Sequence, residues 1–147
     1  MTRPPSTTLD EAPRLHPTAW SGQAQRVLYG DDDEVMTVLV ERLLIRAGCR
    51  PVCHGSVQQA LAALRAEPAA WDVVVTDDSM PELSGIKFAR QLLAIRPDLP
   101  LIVISGYVSD ELRLTARACG VCEVIQKQYT LEELGPAIQR ALAADTR

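Results

Sequence analysis

Four short apolar runs in this chain each end in residues able to do chemistry. Arg26-Val-Leu-Tyr-Gly30 closes on Asp31, Asp32 and Asp33, and Val73-Val-Val-Thr76 closes on Asp77 and Asp78. Pro100-Leu-Ile-Val-Ile runs into Ser105, and Glu123-Val-Ile-Gln126 runs into Lys127. If the four ends meet, three carboxylates crowd together, and a single close pair costs about 4 kcal/mol at an effective dielectric of about 20. An all-oxygen acidic cluster of that kind is relieved by a hard divalent cation, Mg²⁺ first. With the Lys127 ammonium and the Ser105 hydroxyl opposite the metal, the set is a carboxylate nucleophile, a cation and a donor around a transferring phosphorus. Singly, each residue has a plainer explanation. Asp-Asp pairs usually mark solvated turns, a serine can cap a strand end, and most lysines only solvate a surface. The inference rests on order and spacing.

The elements must therefore bring the four ends to one edge. Val73–Val75 is too apolar to face water on either side and reads as the central strand of a parallel sheet covered on both faces. Four further strands are expected at 26–30, 50–54, 100–105 and 123–126. Pro51 cannot donate to a ladder, which places the second of these at an edge. Helices are expected over Glu34 to Ala47 with Gly48 as the stop, from the Ser56-x-x-Gln59 capping box to about Arg65, and from about Ser84 to Ile95. A fourth is capped by Ser109 and ends near Cys119-Gly120. The last starts from a second capping box, Thr130-x-x-Glu133, and runs to about Ala144. Five strands alternating with five helices predict an α/β, flavodoxin-like, doubly wound five-stranded parallel sheet in the order 2-1-3-4-5. In that order all four strand ends open on the edge where such sheets place their chemistry.

The bounds agree. The chain has 147 residues, 47% hydrophobic and 23% charged, enough for one domain with a proper core. A formal net charge of −4 argues against direct nucleic-acid binding. No apolar run approaches the ~20 residues of a membrane span, and Met1-Thr-Arg-Pro-Pro-Ser lacks a secretory core; a cytoplasmic location without membrane insertion is expected. Residues 1–25 hold four of the ten prolines and read as a flexible tail or linker, leaving 26–144 as the domain. Cys49-x3-Cys53 and Cys119-x2-Cys122 raise a zinc reading, but the expected topology sets the pairs on opposite edges, about 19 Å apart across four gaps of ~4.8 Å. They are read as isolated thiols.

From about Arg26 to Ala144 the sequence strongly resembles the receiver domain of two-component response regulators. The resemblance rests on Val-Leu-Tyr-Gly-Asp-Asp-Asp, Asp77-x-x-Met-Pro-x-x-x-Gly85, Ile-Val-Ile-Ser105-Gly-Tyr, and Gly120 with Lys127 seven residues later. It implies that Asp77 is the phosphoacceptor, taking a phosphoryl group from a sensor histidine kinase or a histidine phosphotransfer protein. It further implies that Asp31, Asp32 and Asp77 hold Mg²⁺, or Mn²⁺ in its place, with the Ser79 backbone carbonyl as a further ligand. Ser105 would bond a phosphoryl oxygen, Lys127 would pair with Asp77 or its phosphate, and Ser105, Tyr107 and position 124 would form the switch toward a downstream protein. On this basis the protein is no enzyme beyond its own phosphorylation and dephosphorylation. Ser105-Gly-Tyr107 and Gly-Val-Cys-Glu-Val-Ile-Gln-Lys look similar to receivers of hybrid sensor kinases, and about three residues after the last helix leave no DNA-binding output domain expected.

Some positions depart from the family pattern. Tyr29-Gly30 replaces two aliphatic residues and is expected to loosen the first strand. Asp78 stands where an apolar residue is commoner, Gln128 replaces a proline after the lysine, and Val124 replaces an aromatic switch residue. Two alternatives remain at this stage. One is a pseudo-receiver that binds partners without phosphorylation. The other is a haloacid-dehalogenase-like phosphatase, for which Asp31-x-Asp33-x-Val35 would be the nucleophile motif.

Overall fold

The computed structural model describes residues 24–78 and 84–145. Trp20, in the stretch expected to be a tail or linker, and Ser79 lie outside them. Strands β1 (Arg26–Gly30), β2 (Arg50–His54), β3 (Val73–Asp77), β4 (Leu101–Ser105) and β5 (Glu123–Gln126) form one parallel sheet in the order β2-β1-β3-β4-β5. The α/β, flavodoxin-like order 2-1-3-4-5 expected from the sequence is thus the observed one. The β-branched strands β3 and β4 are buried at every position, as strands covered on both faces must be. Pro51 lies on the edge strand β2.

Helices α1 (Glu34–Arg46), α2 (Val57–Ala66), α3 (Gly85–Ile95), α4 (Asp110–Cys119) and α5 (Thr130–Asp145) make the crossovers. Four of them start at side-chain caps, with Asp33, Ser56, Ser84 and Ser109 accepting the N–H of Met36, Gln59, Lys87 and Leu112 respectively. α4 stops at Gly120, whose φ of 104° lies in the left-handed region that favours glycine. α5 departs from expectation. Thr130 is not an accepting cap: its hydroxyl donates to the Lys127 carbonyl at 2.7 Å, and a 3-10 turn over Lys127–Tyr129 leads into the helix. The turn continues the chain directly from the end of β5, so the helix needs no separate capping box. Pro136 also sits inside α5, where it has no N–H to give the preceding turn.

Side chains alternate along each strand and divide the core in two. Val27, Tyr29, Val73, Val75, Ile102, Ile104 and Ile125 pack with α1 and α5. Leu28, Val74, Leu101, Val103 and Val124 pack with α2, α3 and α4. This division decides which end residues can meet.

Candidate functional site

Continuing each strand's alternation past its last residue puts Asp31, Asp77 and Lys127 on the α1/α5 side, following Tyr29, Val75 and Ile125. It puts Asp78 and Ser105 on the opposite side, following Thr76 and Val103. The side-chain contacts obey that parity. Asp77 is 1% exposed and Asp31 2%, whereas Asp32 is exposed. Carboxylate oxygens of Asp31, Asp32 and Asp77 all lie within 4.8 Å of one another. Two are buried and one faces water, so the cluster holds several negative oxygens at the surface end of a low-dielectric core. That all-oxygen donor set fits a hard divalent cation. Beside it, a cleft of about 500 Å³ runs between Asp32, Glu34, Cys53 and His54.

Lys127 reaches the cluster from β5. Its Nζ lies 3.6 Å from Asp77 Oδ1 and 3.7 Å from Asp33 Oδ2. Partial burial pulls the lysine pKa down, but the carboxylates of Asp77, Asp31 and Asp33 outweigh it and hold the ammonium above its ordinary value. The lysine keeps this position with Gln128 after it, and no peptide bond among the described residues is cis. Asp33 is at once the α1 cap and a partner of Lys127. The Met36 N–H, then the lysine, hold its carboxyl below the usual range.

Two residues that looked like irregularities are part of the site. Tyr29 was expected to loosen β1. Instead it is fully buried, and its hydroxyl donates to Asp31 Oδ2 at 2.6 Å, while the Asp33 N–H donates to Asp31 Oδ1 at 2.9 Å. Burial first, and the hydrogen bond to Asp31 next, push the phenol pKa far up, so it remains a donor. Asp78 is the second. Its Oδ1 accepts the Gly85 N–H at 2.8 Å and its Oδ2 accepts the Ser105 hydroxyl at 3.2 Å. From the sequence alone Asp78 is no more than an unusual charge. The alternation of Thr76-Asp77-Asp78 against Val103-Ile104-Ser105 was the signal that could have paired it with Ser105.

Ser105 is 3% exposed; its hydroxyl also lies 2.9 Å from the Tyr107 carbonyl and accepts the Tyr107 N–H at 3.3 Å. Tyr107 itself is 79% exposed, and Val124 is 9% exposed in the core beneath α4. Ser105 and Asp78 thus form one group, and Asp31, Asp32, Asp77 and Lys127 another, on the two sides of β3. All four cysteines are free; Cys49 and Cys53 belong to the β2 edge, and Cys119 and Cys122 precede the β5 edge.

Comparison with known proteins gives a consistent result. The family model of the response regulator receiver domain matches residues 27–139. The response regulator receiver protein CpdR of Brucella abortus (strain 2308) is 30% identical over 120 residues, covering 82% of this chain and 98% of that protein. The C4-dicarboxylate transport transcriptional regulatory protein DctD of Rhizobium meliloti (strain 1021) is 30% identical over 118 residues, covering 80% of this chain. The match spans only 25% of DctD's length, and the plant regulators of similar identity are likewise spanned by a fifth or less. Among solved structures, a response regulator receiver domain protein from Clostridium thermocellum has a TM-score of 0.78 at 26% identity, covering 83% of this chain and 97% of that one.

Proposed function

The chain belongs to the response regulator receiver family of two-component signalling, and on that premise we propose that it accepts a phosphoryl group on Asp77 from a phosphohistidine. The donor is a sensor histidine kinase or a histidine phosphotransfer protein. One observation carries the reading. Asp77 is a buried carboxylate at the end of the central strand, with Lys127 Nζ 3.6 Å away and two further carboxylates within 4.8 Å.

In the transfer an Asp77 oxygen attacks phosphorus, the phosphorus–nitrogen bond breaks, and the imidazole leaves with the bonding pair. Asp31, Asp32 and Asp77 are the side chains that would hold Mg²⁺, or Mn²⁺, with the Ser79 carbonyl as a proposed further ligand. Bound there, the ion supplies positive charge to the phosphoryl oxygens in transit. Lys127 stays protonated at this site and offers a second positive charge to the same oxygens. Tyr29 and the Asp33 N–H fix the orientation of Asp31 beforehand, so little reorganisation remains. Ser105 then donates its hydroxyl to a phosphoryl oxygen, and Tyr107 moves with it, passing the change on to a downstream protein target. With Val124 buried behind, an aromatic ring does not follow Ser105 inward from β5.

Residues 26–144 are assigned to the receiver and 1–25 to a linker, a division supported by the extent of the family match and by the prolines of the lead-in. The receiver acts in the cytoplasm, as a stand-alone regulator or as part of a hybrid histidine kinase; no helix among the described residues is long and apolar enough to cross a membrane. The test is acetyl phosphate treatment with and without Mg²⁺, read on phosphate-affinity gels. The wild type should shift only with the divalent cation, and Asp77→Asn should not shift. Phosphorylation of the Asn variant would refute the assignment.

A further inference from the structure

Ser105 has one proton to give, and in this structure that proton already has acceptors. Its Oγ lies 3.2 Å from Asp78 Oδ2 and 2.9 Å from the Tyr107 carbonyl. A hydroxyl that accepts one N–H and donates once has little capacity left for a new partner. Of the two acceptors, the carboxylate is the charged one, and a charge-assisted hydrogen bond is the harder to give up.

Asp78 is not free to follow the hydroxyl. Its own N–H is bonded to the Ile104 carbonyl at 2.7 Å, which ties its backbone to β4. Its Oδ1 takes the Gly85 N–H at the first turn of α3, where the helix dipole also favours a negative charge. A Cβ at Gly85 would sit 2.9 Å from the Asp78 Cα and overlap its carboxylate, so the helix approaches this closely only because residue 85 is glycine. Backbone and carboxylate are both fixed, and the second oxygen is left aimed at Ser105.

We propose that Asp78 is a positioning residue that retains the Ser105 hydroxyl in the unphosphorylated arrangement, so that phosphorylation of Asp77 must break the Asp78–Ser105 hydrogen bond before Ser105 can serve the phosphoryl group. The inference rests on the receiver reading above and adds to it an opposing element within the chain. Asp78 sets how much of the phosphoryl binding energy is spent on releasing Ser105. The consequence is a weaker grip on the phosphoryl group than an apolar residue at 78 would allow.

The experiment uses the full chain and the phosphoryl analogue beryllofluoride with Mg²⁺, titrated into wild type, Asp78→Asn and Asp78→Val. Both variants should bind about tenfold more tightly than wild type, the scale of a lost hydrogen bond to a charged group. A pure charge effect would tighten binding equally without Ser105, so each substitution is repeated with Ser105→Ala, where the gain should fall within about twofold of none. In the ligand-free protein, Asp78→Val should also speed amide hydrogen exchange at Gly85 and Tyr107 by about fivefold or more, a local loosening that leaves the core strands protected. A gain that survives in the Ser105→Ala background, no gain at all, or unchanged Tyr107 exchange would each overturn this inference alone. Failure of the wild type to bind beryllofluoride would overturn the receiver reading, and this inference with it.

Discussion

The Tyr29 hydroxyl donates a 2.6 Å hydrogen bond to Asp31 Oδ2 from a side chain with no exposed surface. A buried phenol thus neutralises part of the charge that would otherwise accumulate between Asp31 and Asp77. Tyr29→Phe should lower stability by about 1.5–3 kcal/mol in metal-free buffer, the range for a buried hydrogen bond to a charged group. Part of that loss should return with Mg²⁺, because a cation relieves the same repulsion. Urea unfolding with and without Mg²⁺ decides the matter. An equal loss in both would mean that the hydroxyl does not relieve the carboxylate repulsion.

Phosphorylation should be felt where α4, β5 and α5 meet. There Arg113 donates to the Val124 carbonyl at 3.3 Å, Arg140 pairs with Glu123 at 2.6 Å, and these side chains with Arg117 line a cleft of about 350 Å³. Beryllofluoride should change amide hydrogen exchange in Glu123–Gln126 and in the Ser105–Tyr107 loop by roughly threefold or more. An unchanged face at saturation favours a pseudo-receiver.

The aspartyl phosphate should be long-lived. In receivers the residues two positions after the phosphoacceptor and two after the hydroxyl flank the path of the hydrolytic water, and in this sequence they are Ser79 and Tyr107. Neither carries an acid or amide to orient that water, and the 79% exposed Tyr107 ring is large enough to crowd it. Ser79→Asn or Tyr107→Glu should speed loss of phosphate from Asp77 by roughly tenfold, a positioning effect. Decay no faster than wild type in both variants would refute this.

The cysteines should react in order of burial. Burial, then the Asp72 charge, pushes the Cys49 thiol up to about 12, and burial, then Glu41, pushes Cys53 up to about 11. Both stay protonated in the folded protein at pH 8, so iodoacetamide should label exposed Cys122 first and Cys49 last. Because these folded-state values are raised, the stability they contribute is complete below the unfolded thiol pKa of about 8.5 and is lost as pH rises toward 11 and 12. Unfolding midpoints should therefore fall above pH 9, and Cys49→Ala should flatten that fall.

The strand order and the acidic cluster were legible because the signals behind them are local. An apolar run such as Val73–Val75 specifies a buried strand, and a carboxylate at its end can lie only at the sheet edge. Tyr29 and Asp78 were misread for a common reason. Each departs from the usual residue type, and the partner that explains the departure depends on strand parity. Parity placed Tyr29 in line with Asp31 and Asp78 opposite Ser105, yet composition showed only an extra hydroxyl and an extra charge. The capping box at Thr130 failed differently, since a 3-10 turn spanning Lys127–Tyr129 is invisible to a rule that looks only at spacing.

Pro51 has a bearing on how copies of this molecule meet. Arg50 turns its N–H inward to the Gln25 carbonyl, so by strand alternation the nitrogen of residue 51 faces away from the sheet. In any other residue that nitrogen would offer a hydrogen to a strand arriving from outside; in proline it offers none. The open flank of β2 is therefore blunted against sheet extension, the route by which exposed strands assemble into fibres. Sheet extension across this flank is disfavoured wherever copies of the chain crowd together.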